Sequence, residues 1–366
     1  MPIVMSRRAL GRATLARQLL LDRSDAGVLA TVTTLIGLQA QIPATPYLAL
    51  WSRLRDFDPA VLSSAIQRRE LVRTVVMRST IHLVTAQDAL GLRPLMQQVM
   101  DREIARHGVY SKPLVGVDVA PVLRFAADLL TREQLTTTQL RAAIDEAFPG
   151  APTEALAYAC RCLLPLVQVP PRGLWRRSGA VRLAYAPAWL GRPVEVDPST
   201  DDLVLRYLAA FGPATVADLA AWSRLTGMRD WVDRVRDRLV TVIDETGREL
   251  FDLPDAPRPP DDVPAPVRVL PEYDNVLLSH ADRSRFHRPD AARLPIDAPV
   301  HGTALSDGLV SALWTQVRPP GRLHVTVNLL TKLPRTQLEA IEAEATRALE
   351  FTDPEAKRTL EMVVAP

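Results

Sequence analysis

The sequence predicts an α+β fold, mainly α-helical with some β-structure, and three observations carry this prediction. Helices followed by a short ribbon rich in β-branched residues occur three times along the chain. A linker with six prolines from Pro254 to Pro266 follows the third copy. Beyond it, alternating apolar residues predict an antiparallel sheet and a closing amphipathic helix. Because helices that feed a two-stranded ribbon are typical of winged-helix units, we expect three such units in tandem, packed into one concave scaffold with antiparallel pairing throughout.

The 366 residues are enough for several small domains, each with its own core. The predicted boundaries are 1–115 for winged-helix unit 1, 116–197 for unit 2, 198–260 for unit 3, and 261–366 for the C-terminal antiparallel sheet and helix.

The first unit begins with RRALGRATLARQLLL, whose leucine spacing predicts a helix. A second apolar helix starts near Ala26, and it should end near Gln41 because Pro43 favours extended geometry just before it. Asp58 and Pro59 then cap and open the helix AVLSSAIQRREL. The ribbon of this unit is VRTVVMRSTIHLV, in which β-branched residues alternate.

In the second unit, Thr138 caps the helix QLRAAIDEAF. Thr153 caps the next helix, EALAYACRCLLPLV, which is nearly all apolar and should therefore be buried. The ribbon is PPRGLWRRSGAVRLAY, with a turn at Ser178-Gly179. The third unit starts with TDDLVLRYLAAF and ends in a ribbon that turns at Glu245-Thr246-Gly247.

The C-terminal part should contain four strands and one helix. The predicted strands are VRVLPEY, RLPIDAPV, DGLVSALWTQV and RLHVTVNLL. The helix is QLEAIEAEATRALEF, and its apolar face should cover the sheet.

The composition is that of an ordinary globular protein, with 47% hydrophobic and 23% charged residues. We expect neither a membrane span nor secretion, because the chain has no apolar run of about 20 residues and no secretory signal. Cys160 and Cys162 should be reduced and buried, which predicts a cytoplasmic protein. We expect no cofactor and no metal site, because the six histidines lack ligand spacing and the usual phosphate-loop and metal motifs are missing. We also expect a monomer.

The net charge is only +2, but just three of the 44 basic residues are lysines. A GC-rich genome explains such a bias toward arginine. Phosphate binding explains it as well, because the arginine fork suits phosphate geometry. The genomic explanation is the default, and because the totals cannot exclude phosphate binding, local clusters of arginine have to decide between the two.

The stretch LIGLQAQIPATPYLALW, from Leu35 to Trp51, contains the most informative residues. Its two glutamines, Gln39 and Gln41, have apolar neighbours that would partly bury them. A glutamine pair at a helix end is usually solvated or caps the helix, but a buried amide needs partners and favours a bound water or ligand. At a helix end, the second amide could turn toward the first.

Three motifs in order carry a family resemblance: LQAQ with PATPYLALWSR, then ELVRTVVMRSTIHLV, then LPEYDNVLLSHADRSRF. From about residue 5 to about residue 330, the chain resembles the winged-helix DNA glycosylases of the AlkZ-like family. These bacterial enzymes excise bulky N-alkylated purines, several of them in producers of DNA-alkylating antibiotics. The family motif, glutamine–apolar–glutamine, falls on Gln39, Ala40 and Gln41, whereas the sister YcaQ-like group has aspartate in the second position. The resemblance implies catalytic roles for both glutamines. It implies that the partner is double-stranded DNA with an alkylated purine, and that bulky or crosslinked adducts are among the substrates. The implied biological role is DNA repair or self-resistance.

The chemistry of glutamine narrows the substrate. Glutamine takes up no proton at neutral pH, so a glutamine pair is a poor general base, but it can hold a water at an electrophilic carbon. This suffices only for a leaving group that departs easily, such as an N7- or N3-alkylated purine, which is already cationic. We therefore expect a monofunctional glycosylase, because no lysine lies near the motif to form a Schiff base.

Two basic motifs are candidates for DNA binding. In the first ribbon, Arg73 and His82 could face the duplex, while Arg78 could tie the ribbon to its own unit. In LPEYDNVLLSHADRSRF, the arginines could contact phosphates beside the lesion, although a solvated loop is equally consistent, and Asp274 could instead hold a neighbouring arginine. The candidate DNA-binding residues are Arg73, Arg78, His82, Tyr273, Asp274, His280, Arg283 and Arg285.

Winged helices are most often parts of transcription factors, so a DNA-binding regulator without catalysis is the alternative function. The predicted helices do not favour it. AVLSSAIQRREL is not uniformly basic, and EALAYACRCLLPLV is apolar on all sides, so neither is suited to lie in a DNA groove.

Overall fold

The computed structural model describes residues 3–291 and 300–364. Within these residues, 15 helices and 14 strands form a mixed fold with three small sheets, in agreement with the α+β prediction. None of the helices in these ranges is long and apolar enough to cross a membrane.

The first part of the chain contains six helices and four strands. They are β1 (Ile3–Met5), α1 (Arg7–Arg17), α2 (Val28–Thr34), β2 (Leu38–Gln39), α3 (Thr45–Trp51), α4 (Pro59–Gln67), β3 (Leu71–Val75), β4 (Ile81–Thr85), α5 (Ala86–Leu95) and α6 (Gln97–Arg106). The predicted cap of α4 is confirmed, because Asp58 Oδ1 accepts from Ala60 N–H at 2.8 Å.

The second part contains four helices and three strands: α7 (Ala120–Arg132), β5 (Leu135–Thr136), α8 (Thr137–Ala147), α9 (Thr153–Leu163), β6 (Leu166–Gln168), β7 (Arg182–Tyr185) and α10 (Ala186–Leu190). The prediction that Thr138 caps α8 is wrong. Thr136 is the cap, because it exchanges hydrogen bonds with Gln139 three residues later and so satisfies two backbone N–H groups. Helix α9 is buried as predicted, with six of its eleven residues in the core.

The ribbons of the first two parts belong to one sheet. Its strand order is β2-β4-β3-β6-β7-β5, in which β3 pairs antiparallel with β6. Strands β6 and β7 are also antiparallel, but residues 169–181 separate them, so the second ribbon does not turn tightly at Ser178-Gly179. The long connection leaves room for a loop that packs against α3 and the C-terminal helix, as described below.

The third part contains α11 (Thr200–Phe211), α12 (Val216–Ser223), α13 (Met228–Arg234), β8 (Val240–Asp244) and β9 (Glu249–Asp252). The predicted turn between β8 and β9 is confirmed, since Gly247 has a φ of 82° and donates to Asp244 O at 3.0 Å. Strand β1 joins this ribbon and pairs with β8 in parallel. The expectation of antiparallel pairing throughout is wrong here, because the chain reaches β8 after more than 200 residues and no hairpin fixes the direction.

The C-terminal part contains β10 (Arg268–Leu270), α14 (Asn275–Leu278), β11 (Gly302–Ser306), β12 (Leu309–Val317), β13 (Arg322–Leu329), α15 (Arg335–Thr352) and β14 (Lys357–Val364). Its five strands lie in the order β10-β11-β12-β13-β14. Three pairings are antiparallel, but β13 and β14 are parallel, which corrects the predicted all-antiparallel sheet. Helix α15 connects these two strands as a crossover, and such a connection returns the chain in the same direction. The predicted strand RLPIDAPV falls almost entirely outside the described residues.

Several cores fill the molecule, and buried ion pairs connect its parts. The largest core contains Tyr207, Phe211 and Trp222, with ring centroids 5.1–5.7 Å apart. Arg17 on α1 and Asp252 on β9 form a buried pair at 2.7 Å. The N-terminal helix is thus anchored to the third part of the chain, while the proposed domain boundaries and the separate winged-helix units remain predictions.

Candidate active site

The two glutamines of the QAQ motif lie on an extended segment and not at a helix end. Helix α2 ends at Thr34, and Gly37 follows with a φ of 88°, at a point where a Cβ atom would lie 2.6 Å from Val84 Cγ1. The backbone then runs beside β4, and Ala40 N–H donates to Ile81 O at 2.8 Å. The prediction of a helix that continues to the second glutamine is therefore wrong.

The extended backbone places both amides on the same side. Residues two apart on a strand point to the same face. Leu38 and Ala40 are buried in one core cluster, so Gln39 and Gln41 project from the opposite face. Gln39 is only 6% exposed, whereas Gln41 is exposed. One amide is thus fixed inside the protein, and the other lies at the surface beside it.

Gln39 is oriented by the first ribbon. Its Oε1 accepts from Arg78 Nη2 at 2.8 Å, and because arginine only donates, this contact decides which end of the amide is oxygen. The Gln39 carbonyl accepts from Thr45 Oγ1 at 3.1 Å. Gln39 Nε2 has no partner among the described residues and remains free to donate to a ligand.

Arg78 occupies a strained turn between β3 and β4. Arg78 and Ser79 both have a φ of 59°, and Thr80 N–H donates to Met77 O at 3.1 Å. These are features of a type I′ turn, which favours Gly and Asn because the left-handed region costs other residues about 1–2 kcal/mol. Arg78 Nη1 also donates to Trp222 O at 2.7 Å, so the arginine ties the ribbon to α12 in the third part of the chain, beyond its own unit. Strain of this kind clusters at functional sites.

His82 supports Arg78 from inside the sheet. Its Nδ1 lies 3.0 Å from Thr80 O, and its Nε2 lies 3.2 Å from Arg78 Nη2. Because arginine only donates, Nε2 must accept and Nδ1 must carry the proton. Burial and the Arg78 charge lower the pKa of His82 to about 3, so the ring is neutral at neutral pH. His82 is 1% exposed, so the prediction that it faces the duplex is wrong and it is a positioning residue.

Gln41 is held more weakly than Gln39. Its Oε1 accepts from Ile81 N–H at 3.3 Å, which again fixes the oxygen end of the amide. Nε2 has no partner among the described residues, and the carbonyl oxygen keeps a second lone pair. The two amides therefore present two NH₂ groups and two half-used carbonyl oxygens to the same side.

Arg73 does not face solvent either. It is 2% exposed, and its Nη2 donates to Ala40 O at 2.9 Å, so it holds the backbone between the two glutamines. Burial lowers the pKa of Arg73 to about 10. The prediction that Arg73 contacts DNA is wrong, because its side chain lies beneath Gly173.

In the third motif, Asp274 holds an arginine as one alternative expected. Arg53 donates to both oxygens of Asp274, at 2.8 and 2.9 Å, and both side chains are almost fully buried. The next residue, Asn275, donates from Nδ2 to Gly37 O at 3.0 Å, just before the QAQ strand. This part of the motif therefore positions the QAQ strand, and Asp274 does not contact DNA.

His280 and Arg285 are also buried. His280 Nε2 lies 3.0 Å from Phe211 O and Nδ1 lies 2.8 Å from Ser279 Oγ, so Nε2 carries the proton and Nδ1 accepts. Arg285 Nη1 donates to Thr14 Oγ1 and to Pro213 O, both at 3.0 Å. The predicted DNA contacts of these two residues are wrong, because their polar atoms are used inside the protein.

Two residues of this motif remain available for DNA binding. A further candidate, outside the motif, was not identified from the sequence. Tyr273 (φ 61°) and Arg283 are half-buried, and the side chain of Arg283 has no hydrogen-bond partner among the described residues. Arg224 is exposed at the C-terminal end of α12, and burial together with the Arg224 charge lowers the pKa of Arg78. Its proximity to Arg78 depends on how α12 packs against the first ribbon, so no sequence signal identifies it.

The buried histidines make stability dependent on pH. Burial also lowers the pKa of His280 to about 3, from an ordinary value of 6.5. The unfolded chain thus binds more protons below pH 6.5, and we expect each buried histidine to remove roughly 1.4 kcal/mol of stability per pH unit as pH falls from about 6.5 toward about 3. Urea unfolding at pH 7 and pH 5 measures this. H280Q should narrow the difference between the free energies of unfolding at pH 7 and pH 5. H324Q, at an exposed imidazole, should retain the parent difference. Equal differences in all three proteins would contradict the assignment.

Comparisons with known proteins agree on one family. A profile of the family described as DNA glycosylase AlkZ-like matches residues 32–351. The interstrand DNA cross-link repair glycosylase of Streptomyces sahachiroi is 24% identical over 359 residues, which covers 90% of this chain and 92% of that protein. The solved structure of Streptomyces sahachiroi DNA glycosylase AlkZ matches with a TM-score of 0.79 at 21% identity, covering 99% of this chain and 100% of the other. The structural likeness confirms the fold.

Proposed function

The chain belongs to the AlkZ-like DNA glycosylase family and is a DNA glycosylase, and on this premise we propose that it hydrolyses the N-glycosidic bond of purines alkylated at N7 or N3 in duplex DNA. The observation that carries the proposal is the pair of amides on one face of the QAQ segment. Gln39 is fixed by Arg78, and Gln41 lies beside it at the surface.

The proposed reaction uses water as the nucleophile. The water donates a hydrogen bond to a glutamine Oε1 and accepts one from an Nε2, which holds its free lone pair toward C1′. The C1′–N bond breaks, and its electron pair neutralises the positive charge of the alkylated purine. The C1′–O bond forms, and the water releases a proton to solvent. Neither glutamine takes up the proton, so the reaction depends on a leaving group that is cationic beforehand.

Charge near the site argues for contact with phosphates. Arg78 and Arg224 bring positive charge close to the two amides. Without DNA, this charge would repel both a cationic base and the oxocarbenium ion that develops in the reaction. Bound DNA changes this balance, because each phosphate beside the lesion supplies a compensating negative charge. We propose that Arg224 and Arg283 bind these phosphates and that Arg78 mainly orients Gln39.

The streptomycete relative acts in interstrand crosslink repair, according to its name. We propose the same class of damage for this chain, since a crosslink made through purine nitrogens carries the same cationic leaving group as a simple adduct. We propose that it serves in DNA repair or in self-resistance to an alkylating agent.

The decisive experiment is incubation of the protein with a duplex that contains one N7-methylguanine, followed by alkali to reveal abasic sites. We expect alkali-dependent cleavage at the lesion and none at guanine in a matched undamaged duplex. If the protein released no base but bound one undamaged sequence tightly, the alternative of a transcriptional regulator would replace this proposal.

Replacement of Arg224 by glutamine should weaken binding to any duplex. Each phosphate contact adds about 0.9 to the slope of log affinity against log salt, so R224Q should lower this slope by about 1. Fluorescence anisotropy at two salt concentrations, with two duplexes of unrelated sequence, measures this slope. The control is R335Q, at an arginine that is 89% exposed at the start of α15. An unchanged slope in R224Q, or a loss confined to one sequence, would remove Arg224 from the interface.

A further inference from the structure

A cavity of about 400 Å³ lies between α3, the loop from β6 to β7, the C-terminal sheet and α15. Tyr47 and Trp175 line this cavity and pack in the core that buries Leu38 and Ala40. The two glutamines of the QAQ segment project from its other face, and neither of them lines the cavity. The cavity is therefore a space separate from the candidate active site, with a different lining.

The floor of the cavity is apolar. It is formed by buried side chains of the C-terminal sheet and α15, which are Val269, Trp314, Val325, Val327, Ile341 and Ala345. The one polar atom of the Trp314 ring is satisfied, since Nε1 donates to Leu270 O at 3.0 Å. Protein interiors contain few voids larger than a water molecule, whereas small-molecule sites are mostly apolar clefts of about 300–1,000 Å³. The size and lining of this space are those of a ligand site.

The wall that faces α3 is aromatic and is fixed by hydrogen bonds. The Trp175 ring lies between those of Tyr47 and Phe351, with centroids 4.7 and 5.1 Å away. Tyr47 donates to Gly173 O at 2.9 Å, and Trp175 N–H donates to Ser63 Oγ at 3.0 Å, so the loop is held against α3 and α4. Rigid aromatic walls favour a flat apolar molecule, which gains contact area without ordering flexible side chains.

The mouth of the cavity is basic. The loop from β6 to β7 supplies three arginines to its lining, Arg172, Arg176 and Arg177. Within the described part of the chain none of the three forms an ion pair, and the buried Nε of Arg172 has no hydrogen-bond partner either. Arg176 and Arg177 are exposed. Three uncompensated guanidinium groups beside an apolar space favour an anionic group on the molecule that enters it.

The acidic residues of the lining do not cancel this charge. Arg318 also lines the cavity and donates to both oxygens of Asp353, so that carboxylate is already paired. Burial raises the pKa of Glu272, which favours the neutral form of its carboxyl group. The net charge that a ligand meets at the mouth is therefore positive.

We propose that this cavity is a second binding site, which takes a free small molecule with a flat apolar body and one anionic group. The body lies over Trp314 and against Trp175, and the anionic group faces the three arginines of the loop. The site needs neither the two glutamines nor DNA, so it does not depend on the proposed function. A DNA phosphate is the other source of an anion for these arginines, and the test separates the two sources.

Leucine substitutions on α15 test the apolar part of the site. Ala345 and Ala348 are buried and line the cavity, whereas Ala343 on the same helix is exposed. Leucine keeps helix propensity nearly constant at all three positions, but only A345L and A348L fill the cavity. The probe is 8-anilinonaphthalene-1-sulfonate, a flat apolar molecule with one sulfonate, and its fluorescence reports binding. We expect equal affinity for the parent and A343L, and about tenfold weaker binding to A345L and A348L, because an added side chain misfits a packed pocket.

A charge-removing substitution tests the anionic part. The neutral analogue N-phenyl-1-naphthylamine has the same rings without the sulfonate. R177Q should weaken binding of the sulfonate about threefold and leave binding of the neutral analogue unchanged, since one exposed charge pair adds only a modest free energy. R335Q is the control, because Arg335 is 89% exposed on α15 and does not line the cavity, and it should change neither affinity.

Two further measurements complete the test. Urea unfolding reports whether each variant is folded, and R177Q tests the site without any change in α15 if a filling variant fails to fold. A saturating undamaged duplex, followed by anisotropy, should leave the sulfonate bound, because a free ligand occupies the cavity and DNA does not.

Three outcomes would overturn the inference. Equal affinity for the sulfonate in the parent and all three leucine variants would show that the probe binds elsewhere. The same change for both probes in R177Q, or no change for either, would show that the mouth does not select an anion. Displacement of the sulfonate by the duplex would assign the loop arginines to DNA. None of these readouts uses base excision, so a failure of the proposed function would leave the result for this site intact.

Discussion

Replacement of Gln39 or Gln41 by alanine should lower excision of N7-methylguanine about 100-fold or more, the scale typical of a positioned polar group. The physical reason is that the two amides together hold the attacking water, which donates to one Oε1 and accepts from one Nε2 and keeps a lone pair free for C1′. Single-turnover kinetics with excess protein measures the effect. Affinity for the lesion duplex should barely change, because the amides contact water and not phosphate. Q67A is the matched control, since Gln67 is an exposed glutamine at the end of α4.

The double variant Q39A/Q41A should be little slower than the slower single variant. Groups that act on one water lose their effect together, so their losses do not add. A double variant whose loss equals the product of the single losses would mean that the two amides act on different parts of the substrate. Parent-like rates in both alanine variants would remove the catalytic assignment altogether.

Glutamate at the two positions should behave differently. In Q41E the carboxylate can keep the hydrogen bond from Ile81 N–H, orient the water and favour the oxocarbenium charge, so activity should survive in part. In Q39E the new carboxylate faces Arg78, which already donates to Gln39 at 2.8 Å. A charged pair there would hold the side chain more tightly and withdraw it from the water. We therefore expect Q39E to excise N7-methylguanine more slowly than Q41E, and equal rates would contradict the role of Arg78.

Asp274→Ala should reduce the free energy of unfolding by about 3–5 kcal/mol, because it leaves Arg53 buried without its carboxylate. The side chain of Arg53 is 0% exposed and that of Asp274 is 2% exposed. Asp274 also accepts from Val276 N–H at 3.1 Å, so the start of α14 loses its cap. Urea unfolding at pH 7 measures the loss.

The control for this prediction is D25A. Asp25 pairs with Arg55 at 3.0 Å, but these side chains are 77% and 55% exposed, so its loss should cost less than about 1 kcal/mol. The double variant R53M/D274A should lose less free energy of unfolding than the sum of the losses in R53M and D274A, because no charge remains buried alone. Similar losses in D274A and D25A would show that the buried pair adds little.

The local structure followed from neighbouring residues. Asp58 caps α4, Gly247 turns the third ribbon and the apolar α9 is buried, each for reasons visible within a few residues. Where the prediction failed locally, the competing signal was also local: the Thr136–Gln139 capping box outweighed Thr138. The early end of α2 had a tertiary cause as well: the helix stops at Thr34, seven residues before the second glutamine, and Gly37 then takes a positive φ where it packs on Val84.

The sequence by itself determined the α+β class, most helices and strands and the family resemblance, and it singled out Gln39 and Gln41 as the candidate catalytic residues. Only the tertiary structure decided which polar residues are buried and which are exposed. Arg73, His82, Asp274, His280 and Arg285 look like DNA ligands in sequence, yet all five are buried. Except for His82, each has a partner that is distant in the chain, as Asp274 and Arg53 are 221 residues apart, and a polar group is buried only where a partner satisfies it. Local sequence patterns cannot supply that information, because burial depends on which surfaces meet when the chain folds.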